Sequence, residues 1–121
     1  MSNHIHLVAA HDGGKLPDVI RDLKSYTAKR IIAMISNNIQ ESRKEWLLYL
    51  FKFFANNTGQ NSEYQFWQKT SFPIELYTSE VFDQKVNYIH HNPVKAMLVN
   101  DETAYVYNSA NPDSPFIVDE S

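Results

Sequence analysis

The chain has no cysteine in its 121 residues. That excludes a disulfide framework and thiolate chemistry, and it fits a reducing, cytoplasmic setting. No apolar run approaches the roughly 20 residues that a membrane span needs, and the N-terminus lacks a signal-peptide pattern. Basic residues are missing from the C-terminal part: none follows Lys95, while Asp101, Glu102, Asp113, Asp119 and Glu120 do. Up to Lys95 there are eleven basic and nine acidic side chains, so a weakly basic body precedes an acidic end. Such a body permits polyanion binding without announcing it. The hydrophobic fraction of 43% with 21% charged residues argues against disorder. The expectation is a soluble cytoplasmic protein able to bury a core.

Along the chain, "HIHLVA" alternates as a strand does, over His4–Ala9, and stops at the turn signal Asp12-Gly13-Gly14. Pro17 suits a first helical position. From there Val19, Ile20, Leu23, Tyr26, Thr27, Ile31, Met34 and Ile35 recur at helical spacing over 17–38, with Arg21, Lys24, Lys29 and Arg30 opposite. Such a face is most often merely solvated, yet its sign suits phosphates. A second helix is predicted over 41–56, where Trp46, Leu50 and Phe54 should be buried against a substantial partner surface. Residues 57–64 read as a loop. "YQFWQKTSF" reads as a strand closed by Pro73. A third helix is predicted over 79–91, capped by Thr78 or Ser79, with Pro93 forbidding continuation past Asn92.

Two features carry chemistry. In a strand His4 and His6 share one face while Ile5 and Leu7 share the other, so "HIH" is either a pair of metal ligands or two exposed edge histidines. On the third helix Phe82, Val86 and Ile89 define the buried stripe, and Tyr88 and Asn92, four apart, stack on a face about 100° away. A phenol and a carboxamide therefore project together from the rim. Taken alone, they also fit an amphipathic rim residue and a helix-ending one.

"MSNHIHLV" resembles the M-P-N-H-x-H-L-hydrophobic signature of the single-tyrosine HUH transposases. "NYIHHNPVKAMLV" resembles the YI-x-x-NPV-[KR]-A-G-[LM]-V signature of their REP-associated branch. "LPDVIRDLKSYTAKRI" is similar to that family's helix after the histidine strand, and "FWQ" to its L-W-Q/F-W-Q strand. The resemblance covers about Met1 to Asn108, read as one domain, with 109–121 as an acidic, loosely ordered tail. It implies a ferredoxin-like (RRM-like) α+β fold, a central antiparallel sheet with packed helices. It also implies a metal-dependent nicking and joining of single-stranded DNA near a hairpin. In that scheme His4, His6 and Asn92 hold a divalent cation, Mg²⁺ or Mn²⁺, and Tyr88 is the nucleophile, giving a 5′-phosphotyrosine and a free 3′-OH. A phenol with a pKa of about 10 is a poor nucleophile at neutral pH, which fits metal assistance. Tyr26, Tyr64 and Tyr77 compete for the role, but none lies in the NPV motif.

The chain departs from the pattern at Ser2, where proline is usual, and at Met97, where glycine is common. Family members also carry a strand and a helix before the histidine signature, so the expected sheet is N-terminally incomplete with an unpaired edge. Symmetric pairing of such edges in a homodimer would close it. An inactive transposase remnant that still folds, and binds DNA or dimerises, is the alternative to an enzyme. A generic metal-binding protein leaves the Tyr88 motif unexplained.

Overall fold

Among the described residues, three helices provide the regular structure: α1 Leu16–Asn37, α2 Lys44–Asn57 and α3 Ser79–Lys95, followed by one 3₁₀ turn at Glu102–Ala104. The structure is a computed structural model and describes residues 3–57 and 63–119. Ser2 and most of the 57–64 loop lie outside the described residues. No helix among the described residues is long and apolar enough to cross a membrane.

The expected α+β architecture is overturned: no strand forms among the described residues. Residues 4–9 keep an irregular course, and in the "YQFWQKTSF" segment the Gln65 N–H donates to Phe51 O of α2 at 2.9 Å instead of to a neighbouring strand. Alternation sorts side chains onto two faces, but a strand exists only when a second segment takes up its N–H and C=O groups. Among the described residues there is therefore no sheet edge of the kind expected to pair in a homodimer.

The chain divides into two compact units, Ala10–Pro73 and the pair of segments Met1–Ala9 and Ile74–Ser121. In the first, the His11 Nδ1 accepts from the N–H groups of Gly13 at 3.0 Å and Lys15 at 3.4 Å, serving backbone donors before α1 that Lys15 does not cap. Gly14, with φ 68°, makes the turn. Along α1 the half-buried positions Ile20, Lys24, Thr27, Ile31 and Ile35 form one stripe. Trp67 Nε1 donates to Thr27 Oγ1 at 2.9 Å, and Phe66 meets both Trp67 and Phe51 edge to face. Helix α2 buries Ala55 completely. The burial expected on α2 is corrected: Trp46 is 57% and Phe54 46% exposed, and only Leu50 is half-buried. No sheet forms among the described residues to cover them, and α2 turns Ala55 and Phe51 inward instead.

In the second unit α3 begins where Thr78 accepts a hydrogen bond from the Val81 N–H at 3.2 Å. Phe82, Val86 and Ile89 are half-buried. The expected stop before Pro93 is corrected, because α3 runs on to Lys95 with Pro93 inside it and buried. Proline in that place removes only the bond to the Ile89 carbonyl. The next turn closes through a Schellman pattern, Leu98 N–H to Pro93 O at 3.0 Å and Met97 N–H to Val94 O at 2.9 Å. Asn108, 4% exposed, ties the end of α3 to the following segment, donating to His90 O at 2.8 Å and Glu102 O at 3.2 Å.

Candidate functional site

The histidine segment and α3 lie in the same unit, so the two motifs can be assembled from one body. The rings of His4 and His6 meet edge to face with centroids 4.9 Å apart. His6 meets Tyr88 in the same way at 5.5 Å. Three aromatic rings thus run in series, ending on a phenol that is 48% exposed. Tyr88 is open to solvent while its ring packs against His6. Asn92 stands one turn further along α3 and is half-buried.

Two atoms in this region have no hydrogen-bond partner although buried: His6 Nε2 and Asn92 Oδ1. Buried polar atoms are nearly always satisfied, so each orphan calls for an explanation. Asn92 Oδ1 carries lone pairs, and His6 Nε2 carries one in the Nδ1–H tautomer, so both suit a divalent cation, and they belong to two of the three residues that the sequence motif nominates as ligands. The third, His4, donates from Nδ1 to the side-chain carbonyl oxygen of Asn3. A carboxamide oxygen only accepts, so Nδ1 carries the proton and the lone pair is left on Nε2. Asn3 is therefore an orienting residue that motif reasoning passed over. The signal was present in "NHIH", since a ligand histidine commonly fixes its tautomer through such a neighbour.

Burial pushes the His6 imidazole below the usual histidine range, and repulsion from His4 adds to it. Both effects keep the ring neutral, the form that coordinates a metal. No three His, Cys, Asp or Glu side chains among the described residues form a metal-holding group. A cation here would have two imidazoles and one carboxamide from the chain, and water or substrate oxygens would complete its shell. That donor set suits Mn²⁺ at least as well as Mg²⁺, which prefers oxygen.

The four basic residues proposed for DNA lie on α1, in the other unit. Arg21 is engaged by Asp18 at 2.9 Å and Asp22 at 3.2 Å. Lys24 sits on the half-buried stripe and donates to Gln68 O at 2.6 Å. Lys29 and Arg30 are exposed and take part in none of the ion pairs among the described residues. Of the four, only these two present an uncommitted charge to solvent. Charge divides sharply between the units. Ala10–Pro73 holds nine basic and six acidic residues, whereas the unit with the histidines and Tyr88 holds two basic and eight acidic ones. Compared with known proteins, the chain matches no protein-family model, no curated protein and no solved structure.

Proposed function

We propose that this protein is a metal-dependent single-strand DNA nicking and joining enzyme, with Tyr88 as nucleophile and His4, His6 and Asn92 as metal ligands. The observation that carries the reading is the pair of orphaned buried atoms, His6 Nε2 and Asn92 Oδ1, on residues flanking an exposed tyrosine. A divalent cation, when bound, would polarise the phosphate and stabilise its developing charge. The chain's own residues do the rest. His6 holds the Tyr88 ring edge to face, so the phenol is presented in one orientation. The Tyr88 oxygen forms a bond to phosphorus, the bond from phosphorus to the 3′-oxygen breaks, and the phenol proton is lost as the 3′-oxygen gains one. The products are a 5′-phosphotyrosine and a free 3′-OH. Attack by a 3′-OH on the same phosphorus reverses the step and joins strands.

The test is incubation of a labelled single-stranded hairpin DNA with the protein and Mn²⁺. A covalent adduct that resists denaturing gel electrophoresis is expected. Chelation should remove it, and His6→Ala should reduce it in a way that additional Mn²⁺ partly restores. Absence of an adduct over a range of hairpin substrates would contradict the reading. One observation favours a second reading, that of a folded but inactive remnant: the sheet that the resemblance implies for the histidine segment does not form among the described residues. Metal binding without adduct formation would support that alternative.

A further inference from the structure

We infer that Lys85 and Lys95 are phosphate-binding residues that seat a single strand along α3, one on each side of Tyr88. The inference rests on the nicking reading for the identity of the polymer, but its observations are independent of it. The unit formed by Met1–Ala9 and Ile74–Ser121 contains eight acidic residues and, as basic ones, only Lys85 and Lys95. Such a unit repels a polyanion except where its two cations stand. At about 100° per residue, Lys85 lies about 60° to one side of Tyr88, Asn92 about 40° to the same side, and Lys95 about 20° to the other. Both cations of an otherwise acidic unit therefore fall on the stripe that carries the tyrosine. Asp83, close to Lys85 in sequence, falls about 140° from Tyr88 and faces elsewhere.

Both lysines are also available. Lys95 is exposed, Lys85 is half-buried, and neither takes part in the ion pairs formed among the described residues. The rise of 1.5 Å per residue puts Lys85 about 4.5 Å before Tyr88 along the axis and Lys95 about 10.5 Å after it. An extended strand laid along the helix would thus meet one ammonium on each flank of the nucleophile. The two differ in reach, because Lys95 is in the last turn, where a cation also complements the helix dipole. Contacts of this kind fix the strand's register without reading its bases.

Equilibrium binding of a fluorescein-labelled oligothymidylate, measured against salt concentration, tests the inference. Tyr88→Phe protein serves as the parent, so that no chemistry intervenes. Each of Lys85→Gln and Lys95→Gln should lower the slope of log K against log salt by about 0.7, the contribution of one single-strand phosphate, and the double variant by about 1.4. Lys85→Arg and Lys95→Arg should keep the parental slope, which separates lost charge from lost fold. A double glutamine variant with the parental slope, or a slope that falls only with Lys29→Gln and Arg30→Gln on α1, would overturn the inference. So would a parent that does not bind the oligonucleotide. The adduct assay on the tyrosine-containing protein keeps the two claims apart. An adduct with an unchanged slope refutes the lysines alone, and a lysine-dependent slope without an adduct refutes the nicking reading alone.

Discussion

At the scale of single residues, His6 has the most consequential surroundings. Its ring is in edge contact with both His4 and Tyr88, its Nε2 is buried without a partner, and burial holds it below the usual histidine range. The direction of that shift fixes a pH dependence. The unfolded chain takes up a proton at this side chain near pH 6.5, whereas the folded chain does so only at lower pH. Stability from this group is therefore complete above about pH 6.5 and is lost as pH falls from there through the folded value. In metal-free protein, the urea midpoint should fall as the pH is lowered through that window, and His6→Gln should remove part of the fall. An identical pH profile in the variant would show that His6 titrates in the folded state as it does in the unfolded one. Residue identity made this part legible. The spacing "HIH" and the i, i+4 pair Tyr88 and Asn92 nominated side chains whose rings or orphaned atoms the structure places in one unit. What identity did not convey was commitment to neighbours. Lys24 and Arg21 look like free cations in the sequence, yet one is tied to Gln68 O and the other to Asp18 and Asp22.

At the scale of elements, helices were legible and strands were not, for one physical reason. A helix satisfies its backbone within itself, so the 3.6-residue period over 17–38 was enough to find Leu16–Asn37 within one residue at each end. A strand is defined by a partner elsewhere in the chain, and the alternation of His4–Ala9 could not say that one was missing. Pro93 misled in the other direction. Its missing N–H costs a single bond near the helix end, and the Schellman closure of Leu98 and Met97 carries α3 past it. That closure places Met97, 90% exposed, at φ 59°, a left-handed conformation that favours glycine. Met97→Gly should therefore stabilise the protein by about 1 kcal/mol in urea unfolding, because strain is relieved and no packed side chain is lost. A decrease in stability would show that the left-handed turn is not adopted in solution. Asn108 makes the complementary prediction. It donates to two carbonyls and accepts from the Ala110 N–H at 3.4 Å while almost wholly buried. Asn108→Ala should cost about 1–3 kcal/mol by leaving those groups unsatisfied. A change below measurement error would mean that water replaces the carboxamide.

At the scale of the whole molecule, the distribution of charge matters more than its total. A net charge of -3 conceals a unit with three more basic than acidic residues and another with six more acidic than basic. Tyr88 belongs to the acidic one, so the composition of the whole chain understated how unfavourable its own unit is, in net charge, to a polyanion. The same scale explains the exposed aromatic side chains of α2. Trp46, Tyr49, Phe53 and Phe54 have the pattern of a core stripe, but a pattern specifies a face and not the surface that covers it. Sequence legibility therefore ended where a feature depended on a second segment: the strand pairing expected of the described residues, the cover over α2, and the assignment of the basic helix α1 to a different unit from Tyr88.

The central claim is that Tyr88 forms the covalent link. Its most direct measurement is mass spectrometry of proteolytic peptides after reaction with single-stranded hairpin DNA and Mn²⁺, followed by nuclease digestion. The account predicts a nucleotide phosphate attached to the peptide that contains Tyr88, and no adduct from Tyr88→Phe protein that retains its helical circular dichroism and its Mn²⁺ affinity. A phosphate adduct on Tyr26, Tyr64 or Tyr77, or an undiminished adduct in the Tyr88→Phe protein, would contradict it.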